Sequence, residues 1–151
     1  MSSKIPSLSI LKLLSQRFID HKIKHALGGS GLLYSLGLIE NVKDWDITVE
    51  SPLEDVIKVL GDLSYEKIPH NDQFKSDYLI KVIHEQTEID IIGNFRVVRE
   101  DGFLHKVPVK ISGKWNDIPV ADPYEWMLAY KYMQRGTKAL LLENYLKKHN
   151  Q

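Results

Sequence analysis

The sequence feature that most constrains the fold is a glycine turn, Gly28-Gly29-Ser30-Gly31, which follows a short apolar run from Ile23 to Leu27. The apolar run predicts a β-strand that ends in this turn, and Leu32 to Leu38 predicts a short helix after it. Because glycine has no Cβ, a phosphate can approach the backbone of the turn. The free amides of the following helix attract an anion, and Ser30 can donate a hydroxyl hydrogen bond to it.

The other patterns predict an α+β protein, with a mixed β-sheet, helices packed mainly on one face of it, and C-terminal helices. Further strands are predicted over Trp45–Val49, Tyr78–Ile83, Thr87–Ile92, Phe95–Val98 and Val107–Ile111. Further helices are predicted over Pro6–Asp20, from a Ser51 cap with Pro52 and Glu54 to about Gly61, from an Asp122 cap with Pro123 to about Gln134, and over Thr137–Lys148.

Length and composition narrow the classes of function. The 151 residues fit one domain over the whole chain, and 20 basic residues balance 20 acidic ones. A neutral chain lacks the broad positive field of a general nucleic-acid binder. The absence of cysteine excludes disulfides and thiolate chemistry. No apolar run approaches the length of a membrane span, so we expect a cytoplasmic protein without a membrane partner.

Two aspartates flank the start of the strand predicted at Trp45. Asp44 and Asp46 are two residues apart, so on a strand they point to the same face with Cα atoms about 6–7 Å apart. Carboxylates this close repel each other, and one is pushed toward protonation unless a cation lies between them. A hard divalent cation such as Mg²⁺ suits the pair, because it takes oxygen ligands and keeps positions open for phosphate.

A third acid is expected from a neighbouring strand. Asp90 stands between Ile89 and Ile91 in a strand-like run, which places it near the core. Glu88 lies two residues earlier on the same face and is the alternative. A phosphate-binding turn and a carboxylate metal site together are what phosphoryl and nucleotidyl transfer require.

The combined pattern resembles the DNA-polymerase-β-like nucleotidyltransferase superfamily. It consists of Gly28-Gly29-Ser30, a gap of thirteen residues, Asp44-x-Asp46, and later Ile89-Asp90-Ile91. The resemblance implies that Asp44, Asp46 and Asp90 bind two Mg²⁺ ions, with Mn²⁺ as a substitute, and that Asp90 also activates the attacking hydroxyl. It implies transfer of a nucleoside monophosphate from an NTP, ATP being expected, to a hydroxyl of an unidentified small molecule, tRNA or protein.

Within that superfamily, the small-molecule and toxin branch is the most similar. This branch includes lincosamide-type antibiotic nucleotidyltransferases and abortive-infection toxins, which carry a Lys and an Arg-x-x-Lys-Asp element in helices after the core. Lys131 and Arg135-Gly136-Thr137-Lys138 resemble these elements, although Ala139 replaces the Asp. The resemblance implies that Lys131 and Lys138 reach the triphosphate.

A second subgroup, the tRNA CCA-adding enzymes, has a head that resembles Lys43-Asp44-Trp45-Asp46. The Arg-Asp expected just after the glycines is replaced here by Leu32-Leu33-Tyr34. The chain also lacks the length for the neck, body and tail of that subgroup. We therefore favour the small-molecule and toxin branch.

The sequence leaves a second function open, in which the same fold is a nucleotide-binding or toxin–antitoxin-type partner module with little turnover. Several side chains are interpreted as structural. Four are assigned to the core because of their helical spacing: Trp126, Tyr130, Met133 and Leu142. Three are assigned to the surface, in loops or at strand ends: His70, His84 and His105.

Overall fold

The computed structural model describes residues 4–69 and 75–149, and a mixed sheet of seven strands runs through them in the order β3-β4-β5-β2-β1-β9-β8. The strands are β1 His25–Gly28, β2 Trp45–Val49, β3 Tyr65–Lys67, β4 Tyr78–His84, β5 Thr87–Gly93, β6 Arg96–Val98, β7 Leu104–Lys106, β8 Ile111–Trp115 and β9 Ile118–Ala121. The helices are α1 Ser9–Asp20, α2 Gly29–Ser35, α3 Leu53–Leu60, α4 Pro123–Tyr132 and α5 Gly136–His149. Strands β6 and β7 form a separate ribbon. The predicted α+β class with a mixed sheet is confirmed, but helices pack on both faces of the sheet and not mainly on one.

The centre of the sheet is a trio of strands with mixed directions. Strand β2 pairs antiparallel with β1 and parallel with β5. Strand β1 also pairs parallel with β9 on its other side. Because β1, β2 and β5 are neighbours, the ends of three chain segments far apart in sequence meet at one edge of the sheet.

The fourth and fifth strands, whose ranges were predicted from the sequence, form a hairpin. Strands β4 and β5 pair antiparallel from Tyr78 opposite Gly93 to His84 opposite Thr87. Glu85 and Gln86 close the turn with φ of 47° and 69°. Two consecutive positive φ values are those of a type I′ turn, whose twist matches that of the flanking strands.

Alternation along the strands gives the sheet two apolar faces. The first core joins one face to α1 and α3 through buried residues that include Leu11, Leu14, Phe18, Ile47, Val49, Val56, Leu60, Ile89 and Ile91. The second core joins the other face to α2 and the C-terminal helices through residues that include Ala26, Leu32, Ile92, Val120, Trp126, Tyr130 and Leu142. Within the two described ranges, every helix falls short of the length and apolarity needed to cross a bilayer.

Two helix starts that look alike in sequence differ in the structure. Asp122 caps α4 as predicted, since its carboxylate accepts a hydrogen bond from the Glu125 amide at 3.4 Å. The predicted Ser51 cap is wrong, because the N-cap of α3 is Pro52 and no side chain bonds its amides. The Ser51 hydroxyl instead donates to the Pro52 carbonyl oxygen at 3.5 Å.

The strand predicted over Val107–Ile111 is also wrong, because the chain pairs on either side of that segment. Strand β7 precedes it and pairs with β6, while β8 begins at Ile111 and pairs with β9. Asn116 and Asp117, with φ of 51° and 64°, turn β8 into β9. The sequence hid β9 because Pro119 lies inside it and proline argues against a central strand.

The three histidines assigned to the surface have different outcomes. His84 is exposed at the end of β4. His105 is half-buried, and its ring lies 4.9 Å from that of Tyr132, centroid to centroid. His70 lies outside the described residues.

The first core predicts a contrast between two adjacent leucines of α1. Leu14 is fully buried, whereas 42% of Leu13 is exposed. Leu14→Ala leaves a cavity and should lower the free energy of unfolding by about 2–5 kcal/mol. Leu13→Ala is the matched control and should change it by about 0.5 kcal/mol or less. Urea denaturation measures both values, and equal losses in the two variants would contradict this packing.

Candidate active site

Parallel pairing of β2 and β5 brings two of the predicted acids together. Asp46 in β2 and Asp90 in β5 are direct partners in the register. Their strand neighbours Trp45, Ile47 and Ile89 belong to the first core, so both carboxylates project from the opposite face. Asp44 lies just before β2 and lines the same cavity.

The glycine turn lies directly against Asp46. Gly28 is the register partner of Asp46 on the β1 side, and Gly29 follows it with φ of 55°. A Cβ at Gly29 would collide with the Asp46 carboxylate, and one at Gly28 would collide with the indole of Trp126. Both positions therefore require glycine, because the turn passes between a carboxylate and an aromatic ring.

The serine of the turn contacts a lysine from the last helix. The Lys138 ammonium donates a hydrogen bond to the Ser30 hydroxyl at 3.2 Å. The same ammonium lies 5.6 Å from the centre of the Tyr130 ring. Burial lowers the pKa of Lys138, and the positive charge of Arg135 lowers it further, while Asp46 opposes both. A cation held in this way is a suitable partner for phosphate.

A cavity of about 360 Å³ connects these groups. Its polar lining consists of Ser30, Lys43, Asp44, Asp46, Asp90, Arg135 and Lys138. Its apolar lining consists of Leu79, Ile92, Phe95, Trp126, Tyr130 and Met133. The cavity thus sets a cluster of charges beside an aromatic wall, in which the Trp126 ring centre lies 5.1 Å from that of Phe95 and 5.5 Å from that of Tyr130.

The carboxylates hold protons unusually well because they are buried together. Burial raises the pKa of Asp46 to about 7, and the charges of Asp90 and Asp44 contribute to the rise. Burial also raises the pKa of Asp44, as does a side-chain hydrogen bond with Glu88. Burial raises the pKa of Asp90 against the opposing charge of Lys81. A bound cation would relieve this repulsion.

The structure separates the two candidates for the third acid. Asp90 lines the cavity, whereas Glu88 is not part of the lining. Glu88 instead lies 3.7 Å from the Lys81 ammonium, and its side chain is 37% exposed. Asp90 Oδ1 lies 3.2 Å from the same ammonium. This oxygen is buried, so its contact with Lys81 is an ion pair shielded from water.

These observations fit a divalent cation in their chemistry. The three acids supply only oxygen ligands, and burial together with the charges of Asp90 and Asp44 raises the pKa of Asp46. In their present positions, no three His, Cys, Asp or Glu side chains of the described ranges are grouped closely enough to hold a metal ion.

Lys131 is not brought to the cavity. It lies on the outer side of α4, where its ammonium is 3.9 Å from Glu143 Oε1. The helical repeat explains this position, since Trp126 and Tyr130 are four residues apart and turn to the cavity, which points Lys131 about 100° away. Arg135, just after α4, lines the cavity.

Sequence reasoning missed part of the apolar lining. Trp126, Tyr130 and Leu142 are buried in the second core, as predicted. Trp126, Tyr130 and Met133 also line the cavity, so they belong to the site as well as to its support. Their i, i+4 spacing cannot separate these two roles, because both require the same inward-facing side of a helix.

The raised pKa of Asp46 predicts how the stability of the metal-free protein depends on pH. Its pKa is 3.8 unperturbed and about 7 in the folded state. The folded state therefore holds the proton more tightly, and the stability this provides is full below about pH 4 and lost as the pH rises to about 7. In EDTA at pH 7.5, Asp46→Asn should be more stable than the wild type. Its advantage in the free energy of unfolding should be roughly 1–4 kcal/mol larger at pH 7.5 than at pH 4.

Denaturation curves at the two pH values measure this difference. Asp62→Asn is the control, because Asp62 is an exposed aspartate that follows α3. Its difference from the wild type supplies the baseline against which the Asp46→Asn difference is read. An Asp46→Asn difference of the same size at pH 4 and pH 7.5 would show that Asp46 has no raised pKa.

Three solved structures are similar to this chain over most of its length. A proposed nucleotidyltransferase from Thermotoga maritima has a TM-score of 0.69 and 21% identity, with 93% of this chain and 92% of that chain covered. ANT(2″)-Ia in complex with adenylyl-2″-tobramycin has a TM-score of 0.52 and 11% identity, over 94% and 98% of the two chains. The solution structure of the antibiotic-resistance factor ANT(2″)-Ia has a TM-score of 0.50 and 11% identity, over 95% and 92%.

Comparison of the sequence with protein-family models and with curated proteins found no match. At identities of 21% and 11%, the structural likeness shows the fold. The assignment to the small-molecule and toxin branch stays a prediction. The chain has the nucleotidyltransferase fold.

Proposed function

We propose that this protein is a Mg²⁺-dependent nucleotidyltransferase, which transfers a nucleoside monophosphate from an NTP to a hydroxyl of an acceptor. The observation that carries the proposal is the register of Gly28, Asp46 and Asp90 across three adjacent strands. This register places the glycine turn directly beside two carboxylates. The fold of the chain, shared with nucleotidyltransferases, supports it.

The triphosphate would lie between the glycine turn and α5. Ser30 offers a hydroxyl, Lys138 an ammonium 3.2 Å from that hydroxyl, and Arg135 a guanidinium on the same side of the cavity. Charged donors of this kind form the stronger hydrogen bonds to phosphate oxygens. The collision that a Cβ at Gly29 would make with Asp46 shows how close the turn comes to the acids.

Asp44 and Asp46, beside Asp90, would hold the divalent cation, Mg²⁺ or Mn²⁺, which when bound neutralises charge on the triphosphate. The raised pKa of Asp46 supports this role, because a carboxylate kept from ionising by burial and by its neighbours gains from an added cation. Asp90 Oδ1 is buried, and the Lys81 ammonium lies 3.2 Å from it.

The reaction is a displacement at the α-phosphorus. The acceptor oxygen forms a bond to that phosphorus, while the bond from the phosphorus to the oxygen bridging to the β-phosphate breaks. Pyrophosphate leaves, and the hydroxyl proton passes to Asp90. Positioning of the two substrates and neutralisation of charge supply most of the rate increase in such reactions.

ATP and small hydroxyl compounds are the first substrates to test. The similarly folded ANT(2″)-Ia was solved with adenylyl-2″-tobramycin, in which an adenylyl group is joined to a small molecule. The aromatic wall of Phe95, Trp126 and Tyr130 could pack against a base or an apolar acceptor. Hydroxyls of tRNA and of proteins are further acceptors to test.

The first prediction concerns the acids. When the protein is screened with each NTP, Mg²⁺ and a panel of acceptors, the correct pair of substrates should release pyrophosphate. Asp46→Asn and Asp90→Asn should each reduce the rate of release by about 10³-fold or more. Glu88→Gln is the matched variant on the same face of β5 and should reduce it by about tenfold or less. A coupled phosphate assay measures all three.

The outcomes of this assay separate the possibilities. Full activity in Asp46→Asn would exclude the proposed mechanism. Loss in Glu88→Gln with activity in Asp90→Asn would make Glu88 the third acid. Stabilisation by Mg²⁺ and an NTP without pyrophosphate release would support a nucleotide-binding partner module instead.

The second prediction concerns the lysines of the C-terminal helices. Lys138→Ala removes a charged phosphate contact and should weaken binding of the NTP by about 10- to 100-fold. Lys131→Ala should leave it within about twofold, because Lys131 faces Glu143 away from the cavity. Titration of a fluorescent NTP analogue measures both, and equal losses would place the triphosphate elsewhere.

A further inference from the structure

A cation already lies among the acids of the site. Lys81 in β4 is the register partner of Asp90 in β5. Its ammonium is 3.2 Å from Asp90 Oδ1 and 3.7 Å from Glu88 Oε2, and its side chain is only 21% exposed. Asp44 also acts on it electrostatically. Lys81 therefore faces three carboxylates at once.

The strand pattern shows that this position is fixed. Ile80 and Val82, on either side of Lys81, belong to the first core. Because side chains alternate along a strand, Lys81 must project from the face that carries Asp46 and Asp90. Leu79, two residues earlier on that face, lines the cavity. The hairpin of β4 and β5 thus fixes the face from which the Lys81 side chain projects.

We propose that Lys81 is a built-in cation of the carboxylate site, and that its ammonium takes the place of a divalent cation at Asp90. The site then binds one divalent cation with the NTP, at Asp44 and Asp46, where the fold resemblance implies two. This inference rests on the proposed function.

The physical reason is charge repulsion at short range. An ammonium 3.2 Å from Asp90 Oδ1 neutralises much of the charge that would attract a cation to that carboxylate. A divalent ion sharing the same oxygen would also repel the ammonium, and the partial burial of Lys81 reduces screening by water. The shortage of grouped ligands around a single point in the described ranges agrees with this, since Asp90 is engaged by Lys81.

The test counts bound Mn²⁺ on the full chain by electron paramagnetic resonance. The protein is saturated with an ATP analogue whose α and β phosphates are bridged by carbon, which prevents turnover. The wild type should bind one Mn²⁺ per chain. Lys81→Met should bind two, the second at least tenfold more tightly than any second ion in the wild type.

Two control variants separate charge from packing. Lys81→Arg keeps the positive charge and should bind one Mn²⁺, as the wild type does. Lys67→Met removes an exposed lysine from neighbouring β3 and should also bind one. Thermal melting checks that each variant is folded. If Lys81→Met is unfolded, it is replaced by the double variant Lys81→Met, Glu88→Gln, which lacks one of the repelling carboxylates. This double variant should also bind two Mn²⁺.

The count also separates this inference from the proposed function. One Mn²⁺ in both the wild type and Lys81→Met would overturn the role of Lys81 and leave the proposed function standing. Two Mn²⁺ bound to the wild type would also overturn the role of Lys81 and leave the proposed function standing. No Mn²⁺ bound to any variant with the analogue present would overturn both.

Discussion

Repulsion between the carboxylates of Asp46 and Asp90 is the constraint on which the rest of the site depends. Parallel pairing of β2 with β5 places the two acids side by side, and burial strengthens their effect on each other. Separate positive charges act on this pair: Lys138 and Lys81 both oppose the rise in the pKa of Asp46. The cations from β4 and α5 therefore reduce the repulsion between the two acids.

The apolar face beneath the acids makes this arrangement possible. Trp45, Ile47, Ile89 and Ile91 are completely buried in the first core, on the side of the sheet away from the cavity. Their packing against α1 and α3 holds the backbone of β2 and β5 in place. The first core thus holds β2 and β5 together although the acids on their other face repel each other.

Sequence reasoning found the parts of the site that local spacing encodes. The alternation around Asp46 and Asp90 placed them on strands, and the glycines marked the turn beside them. It did not single out Lys81, because a lysine in a strand is usually solvated, and it named Arg135 only within the element from Arg135 to Lys138. Lys81 lies beside the acids because of its register with Asp90. That register depends on the hairpin turn, and the spacing of the acids does not reveal it.

The same limit explains where the structure differs from what local patterns suggest. Lys131 and Lys138 look alike in sequence, yet the helical repeat points one to Glu143 and the other to Ser30. The Ser51 and Asp122 caps also look alike, but the Ser51 hydroxyl bonds the carbonyl oxygen of the adjacent Pro52. Strand β9 contains Pro119 and still pairs with β8 and, in parallel, with β1. For the lysines and for β9, a tertiary contact decides between local alternatives.

The hydrogen bond between Lys138 and Ser30 joins residues separated by 108 positions. A contact so distant in sequence forms late, because the loop between its ends must first be organised by shorter-range pairing. During synthesis the glycine turn and all three acids emerge before Lys138 does. The cavity therefore acquires its full set of charges only when the last helix docks beside the glycine turn.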